Sequence, residues 1–283
     1  MRKTCLLYLL LLIGTVAAAQ TPLNVMTFNI RYNNPGDSLD AWPYRKDKVA
    51  SAVLFYEAQL LGVQEALYEQ ITDLQQRLPQ YKYIGVGRDD GKTQGEYSAI
   101  FYDTTRLQLL QSKTFWLSAT PDVPGSKGWD AAITRIVTWG KFRDKKTKQV
   151  FIHFNTHFDH IGTVARRESA HLLLKQVAAI AGRTPAVITG DFNATPTDEP
   201  IQVIMNNSDP LHLTDSKAVS KTPHFGPDGT FNGFKRAERG DAPIDYIFLK
   251  GNISVLQHAS LSNTWKGHFA SDHFPVFSRI IIK

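Results

Sequence analysis

Six short stretches of this chain set acids, amides or histidines where an apolar run ends. "GDFN" places Asp191 and Asn193 one residue apart after Val187-Ile188-Thr189, and "SDHFP" sets Asp272 beside His273. "FNIR" holds Asn29, "VQE" holds Glu65, "FNTH" holds Asn155 and His157, and "IDYI" holds Asp245. Taken singly, these are ordinary turn formers, caps or satisfied core residues. Together they are carboxylates, carboxamides and imidazoles, and charged groups at buried strand ends are tolerated when they pair or hold a cation. Oxygen donors suit a hard divalent cation, Mg2+ or Mn2+. Histidine moves protons near neutral pH, and an amide N–H can meet charge that builds on oxygen. Such a set has the ingredients of metal-assisted phosphoryl transfer.

The elements that must carry these groups are mostly strands. β-like runs cover 24–30, 60–64, 81–87, 97–102, 108–117, 134–142, 150–157, 186–189, 244–249, 253–258 and 275–282, several alternating and several solidly apolar. Helical spacing lies between them at 45–58, 69–78 and 166–180, the last stopped by Gly182. Strand pairs with interspersed helices predict two packed sheets covered by helices. Two long polar stretches, 118–132 and 223–243, are loops. They carry or adjoin Trp116, Trp129, Phe231 and Phe234, which would stack on a ligand or pack the loops. The basic run at 141–148 reads as a solvated hairpin turn.

A length of 283 residues, 42% hydrophobic and 20% charged, with no internal repeat, fits one large α/β domain or two small ones, and no stretch reads as an interdomain linker. The first residues order Arg2 and Lys3, an apolar run and Ala17-Ala18-Ala19, as a secretory leader cleaved near Ala19 does. The apolar run, about 15 residues, is shorter than the roughly 20 a membrane span needs, so no stable membrane insertion is expected. The expected division is therefore a leader at 1–19 and a single domain at 20–283, secreted or periplasmic. Cys5 is the only cysteine, so the mature chain would fold without disulfides. Losing Arg2 and Lys3 lowers the formal charge from +6 to +4, an excess compatible with phosphate ligands that does not establish them.

In their order, FNIR, QE, NTH, GDFN, IDYIF and SDHFP, the motifs resemble the endonuclease/exonuclease/phosphatase (DNase I-like) superfamily over the whole mature chain, in particular its secreted bacterial members. The resemblance implies a four-layer α/β sandwich, two mostly antiparallel mixed sheets flanked by helices, with the site at one end. It implies that Glu65 is the principal ligand of Mg2+ or Mn2+, with Asn29 and Asp272 beside it. His273 would be the general base or a phosphate contact, held by Asp245. Asp191 would orient or deprotonate the attacking water, and which of Asp191 and His273 does so stays open. Asn193 would donate to a non-bridging oxygen, while Gly190 would let the backbone turn clear of the phosphate. His157 would stabilise or protonate the leaving oxygen, with Glu96 holding its ring. Arg135 falls where relatives set an arginine against the phosphate. Trp129 and Phe231 complete the expected substrate contacts.

The implied activity is metal-dependent hydrolysis of a phosphodiester or phosphomonoester by in-line attack of water. The substrate's identity stays open. A secreted DNase or RNase is the alternative, so nucleic acid remains a candidate substrate, although an arginine that DNase I carries soon after its glutamate is missing after Glu65. A different class of reading is a catalytically idle module that binds a phosphate ligand. No obligate protein partner is inferred.

Overall fold

The pleat sorts each strand's residues onto two faces, and the burial of this chain follows that rule. The computed structural model describes residues 21–235 and 242–283, so the expected leader and part of the second long loop lie outside the described residues. In chain order the strands are β1 (Leu23–Asn29), β2 (Leu60–Gln64), β3 (Tyr81–Ile84), β4 (Ile100–Asp103), β5 (Leu107–Trp116), β6 (Ile136–Asp144), β7 (Val150–His157), β8 (Ala186–Asp191), β9 (Thr214–Asp215), β10 (Asp245–Lys250), β11 (Ile253–Ser260), β12 (Thr264–Trp265), β13 (His268–Phe269) and β14 (Val276–Ile282). The α-helices are α1 (Trp42–Phe55), α2 (Tyr68–Arg77), α3 (Thr163–Ala181) and α4 (Glu199–Met205). One six-stranded sheet runs β11-β14-β1-β2-β4-β3 and the other β5-β6-β7-β8-β10-β9.

Three apolar clusters define the layers. Met26, Phe28, Leu61 and Val63 pack against Val49, Val53, Ile71 and Leu74 of α1 and α2. Ile152, Phe154 and Ile188 pack against Leu173, Val177 and Ile201 of α3 and α4. Val25, Leu60, Phe151, Val187 and Ile247 meet between the sheets. The order is helix, sheet, sheet, helix, as expected. The alternation also explains the site: Val25-Thr27-Asn29, Phe151-His153-Asn155-His157 and Val187-Thr189-Asp191 each share one face of a strand, so the inner apolar row ends in a polar group.

Polarity brings those ends together. β1 runs parallel to β2, and β7 parallel to β8. β14 is antiparallel to β1, and β10 antiparallel to β8. The last residues of β1, β2, β7 and β8 therefore share one edge of the sandwich with Asp245 at the start of β10 and with Asp272 and His273 just before β14. No helix among the described residues is long and apolar enough to cross a membrane.

Several boundaries differ from the sequence reading. Gly85 takes a left-handed backbone (φ 131) and closes β3 at Ile84. Tyr97 makes only an isolated bridge to Ala66, so β4 begins at Ile100. Proline near the start of α1 moves its first residue to Trp42. α4 and the two-residue strands β9, β12 and β13 are too short for a periodic signal.

Candidate active site

Asn29 lies at the centre of the site. Its amide Nδ2 donates to Glu65 Oε1 (3.0 Å) and to Asp191 Oδ2 (2.9 Å), while its Oδ1 accepts from Arg31 N (3.0 Å). In this orientation Asn29 ties two carboxylates together, and its oxygen, which accepts one hydrogen bond, keeps a second lone pair. Glu65 follows Gln64, and strict alternation would send it toward the helices. Its left-handed backbone (φ 61) breaks the pleat and brings the carboxylate into the cleft, where Tyr32 N also donates to it (3.2 Å). Asn193 (φ 47) is held in the same region, and such conformations in non-glycine residues cluster at functional sites.

His273 sits between two acids: Nδ1 is 2.9 Å from Asp245 Oδ2, and Nε2 is 3.8 Å from Asp191 Oδ2. Burial opposes its charge, but Asp245, Asp191 and Asp272 outweigh that and raise its pKa well above the usual histidine value. Burial, with Asp245's charge, pushes Asp191 up to about 7 despite the favourable His273 and Asn29. Burial pushes Asp272 up too, with Glu65 adding to the rise and His273 and Arg31 opposing it. His157 goes the other way: burial, then the positive charges of Arg135 and Arg88, lower it well below the usual value. Asn193 Nδ2 donates to Phe158 O and stands 3.0 Å from His157 Nε2, so Nε2 is the acceptor and the neutral ring carries its hydrogen on Nδ1.

One cleft of about 480 Å3 is lined by Glu65, Asp191, Asp272, His157, Asn193 and His273. Glu96, Arg135, His160 and Phe231 also line it. Trp129 does not: it stands on the surface, 41% exposed, and is not part of the cleft wall. Glu96 reaches the cleft but does not hold His157. Arg88 takes its carboxylate through two bonds (2.6 and 3.0 Å), and His157 Nδ1 has no partner. Gly190 lies within β8, and a Cβ there would come within 2.6 Å of Thr156 O; strand packing, not clearance for a phosphate, requires the glycine. Asn155, from the same motif as His157, turns into the space between the sheets and bonds Val63 O and Ala99 O.

Other positioning residues were not singled out from the sequence. Thr230 Oγ1 donates to Asp245 Oδ2 (2.6 Å) and accepts from Ile244 N and Asp245 N. Its neighbour Phe231 packs edge-on against His273 at 5.1 Å. The buried Arg45 guanidinium gathers Ile30 O, Ala270 O, Arg31 O and Asp40 O, fixing the exit of β1 beside the approach to Asp272. Asp159 accepts from Gly162 N, Ile161 N and Ala132 N, which hold its pKa at about 2 although burial alone would raise it. A threonine in a "DGTFNG" turn and an acid two residues after His157 are weak signals without their spatial partners.

The donor set fits a divalent cation. Glu65, Asp272 and Asp191 offer carboxylate oxygens, the choice of Mg2+ and Mn2+, and two of the three are pushed toward neutrality by burial and, second, by a neighbouring acid, both of which a cation would offset. Among the described residues Asp191, Asp245 and His273 form a group whose metal-ligating atoms lie within 4.8 Å of one another. In that grouping the His273–Asp245 hydrogen bond already engages one nitrogen and one oxygen.

The Endonuclease/Exonuclease/phosphatase family profile matches residues 26–273, and this chain belongs to that family. A crystal structure of an endonuclease/exonuclease/phosphatase from Bacteroides vulgatus is 41% identical, with TM-score 0.89 over 93% of this chain and 100% of that one. The mannosyl-6-phosphatase Bt3783 of Bacteroides thetaiotaomicron is 38% identical, with TM-score 0.87 over 92% of this chain and 100% of that one. Protein angel of Drosophila melanogaster is 24% identical over 200 residues, 65% of this chain, which spans about half (52%) of that protein's length.

Proposed function

We propose that this protein is an exported, divalent-metal-dependent phosphoesterase that hydrolyses a small phosphomonoester, with a sugar phosphate as the leading substrate class. One observation carries the chemistry: the His273 cation, held by Asp245, faces Asp191 on the wall that also presents Glu65 and Asp272. The cleft's size suits a small ester, and the likeness to a mannosyl-6-phosphatase supports a phosphorylated sugar. The leader-like first residues support export.

A bound Mg2+ or Mn2+, held by Glu65 and Asp272 with Asp191 beside them, would neutralise the phosphoryl group's charge. Asp191 takes the proton of the attacking water, the new bond forms at phosphorus, and the bond from phosphorus to the ester oxygen breaks on the opposite side, the departing alkoxide taking its proton from solvent water in the open cleft. His273, already charged, contacts a non-bridging oxygen instead of serving as base, and Asp245 keeps it charged and aimed. Asn193, whose two amide hydrogens go to Phe158 O and His157 Nε2, holds the His157 ring in place. His157, kept neutral by burial, can offer the leaving oxygen only its Nδ1–H, the one hydrogen on a ring whose Nε2 accepts from Asn193.

The test compares p-nitrophenyl phosphate with its bis ester, using wild-type protein and the variant His273→Ala. The expected outcome is turnover of the monoester with Mg2+ or Mn2+, abolished by EDTA and depressed in the variant. Preference for the diester would overturn the monoester assignment. Turnover untouched by EDTA would overturn the metal.

A further inference from the structure

We infer that the wall formed by Arg135, His160, Arg88 and Glu96 is a subsite for the hydroxyl groups of the leaving alcohol, so that the substrate is a phosphorylated polyol or sugar chosen by these residues. The substrate class rests on the phosphoesterase reading; the subsite itself rests on the cleft. Arg135 is 4% exposed and lines the cleft, yet its Nη1 has no hydrogen-bond partner. A buried guanidinium nitrogen without a partner is costly, and a ligand oxygen would satisfy it. Its Nη2 is committed, lying 3.0 Å from His160 Nδ1. Because a guanidinium only donates, Nδ1 must accept, so the neutral His160 ring carries its hydrogen on Nε2 as a second donor.

Glu96 changes what this wall can bind. Arg88 bonds each of its carboxylate oxygens once, at 2.6 and 3.0 Å, leaving further lone pairs on a group that lines the cleft. Donors from Arg135 and His160 beside acceptors from Glu96 match groups that both donate and accept, as vicinal hydroxyls do. A second phosphate, which only accepts, would face the Glu96 carboxylate. A nucleobase would need a ring to stack on, and the cleft's aromatic residues belong to its reacting end: Tyr32 lies against Arg31 (4.4 Å) and Phe231 against His273 (5.1 Å). The wall also stands next to the leaving group. His157, assigned above to the leaving oxygen, feels the charges of Arg135 and Arg88.

The primary test is binding, so it does not depend on turnover. Calorimetry with Mg2+ would compare a hydrolysis-resistant hexose 6-phosphonate with methylphosphonate, which lacks the hydroxyls. Wild-type protein should bind the hexose compound at least tenfold tighter, and His160→Ala should remove most of that advantage while leaving methylphosphonate unchanged. His160 is exposed, so the variant is expected to fold. In kinetics the same variant should raise KM for hexose 6-phosphates by a larger factor than KM for p-nitrophenyl phosphate. Equal binding of the two phosphonates overturns the subsite. Loss on both ligands overturns it as well, because His160 would then act on the phosphate through Arg135. Tighter binding of adenosine 5′-phosphonate than of the hexose compound overturns the sugar class. Selective binding of the hexose phosphonate without turnover of any ester would leave the subsite standing and overturn the phosphoesterase reading.

Discussion

Thr230 shows how a single hydroxyl can set the chemistry of this site. Its Oγ1 donates to the same Asp245 oxygen that His273 contacts, and it accepts from two backbone N–H groups at the start of β10. It thereby restricts where the carboxylate can point, and the carboxylate in turn fixes the imidazole. Thr230→Val keeps the shape but removes the donor and leaves those two N–H groups unsatisfied, at roughly 1–3 kcal/mol each where they are buried. We expect Thr230→Val to lower kcat by about 10–100-fold, the usual range for losing an outer partner of a catalytic group. Thr230→Ser, which keeps the hydroxyl, should restore most of the rate. Circular dichroism would verify folding, and the kcat values of the two variants against wild type would decide. An unchanged kcat in Thr230→Val would remove Thr230 from the mechanism.

At the scale of elements, the two sheets are joined by a polar strut inside a largely apolar interface. Gln64 Nε2 donates to Asn155 Oδ1 (2.6 Å), Thr189 Oγ1 donates to the same oxygen (2.9 Å), and His153 Nε2 lies 2.7 Å from Thr189 Oγ1. Gly62 is the close-approach point: a Cβ there would lie 2.3 Å from Thr189 Oγ1 and 2.4 Å from Asn155 Oδ1. Gly62→Ala should therefore push the sheets apart and destabilise the fold by about 1–3 kcal/mol, read as a lower urea midpoint with an unchanged slope. An unshifted midpoint would mean that the strut yields without cost. Strand alternation made much of this legible from the residues alone. Asn29, His157 and Asp191 end rows that also contain Val25, Phe151 and Val187, so one periodic pattern identifies both core and site. Glu65 does not obey that pattern, because its position depends on a local backbone reversal; its type at the end of an apolar run and the resemblance of its motif singled it out. Contacts between loops were less legible still. Glu96 pairs with Arg88 rather than His157, and Trp129 stays off the cleft, because no periodicity records which loop residues meet.

At the scale of the whole molecule, stability should respond to acid through histidines that fold in without charge. His153 is fully buried between the sheets, with Nε2 beside Thr189 and no partner for Nδ1. Burial lowers its pKa from 6.5 to about 3. Below pH 6.5 the unfolded chain binds a proton that the folded one refuses. The stability tied to this group is therefore fully present above pH 6.5 and is lost as pH falls toward 3. His258, lowered to about 3 chiefly by burial and also by His224, acts in the same sense. Asp191 acts in the opposite one: raised from 3.8 to about 7, it makes the folded state bind the extra proton between those values. A wild-type curve alone would mix these trends, whereas a difference between variants isolates one. His153→Gln keeps a group able to bond Thr189 and cannot titrate. Its unfolding free energy relative to wild type should improve by up to about 1.4 kcal/mol for each pH unit descended below 6.5. Urea unfolding of both proteins at pH 7.5, 6 and 5 gives the difference directly. A gap that stays constant across those pH values would show that His153 titrates alike in the folded and unfolded chains, and that its burial does not exclude the proton.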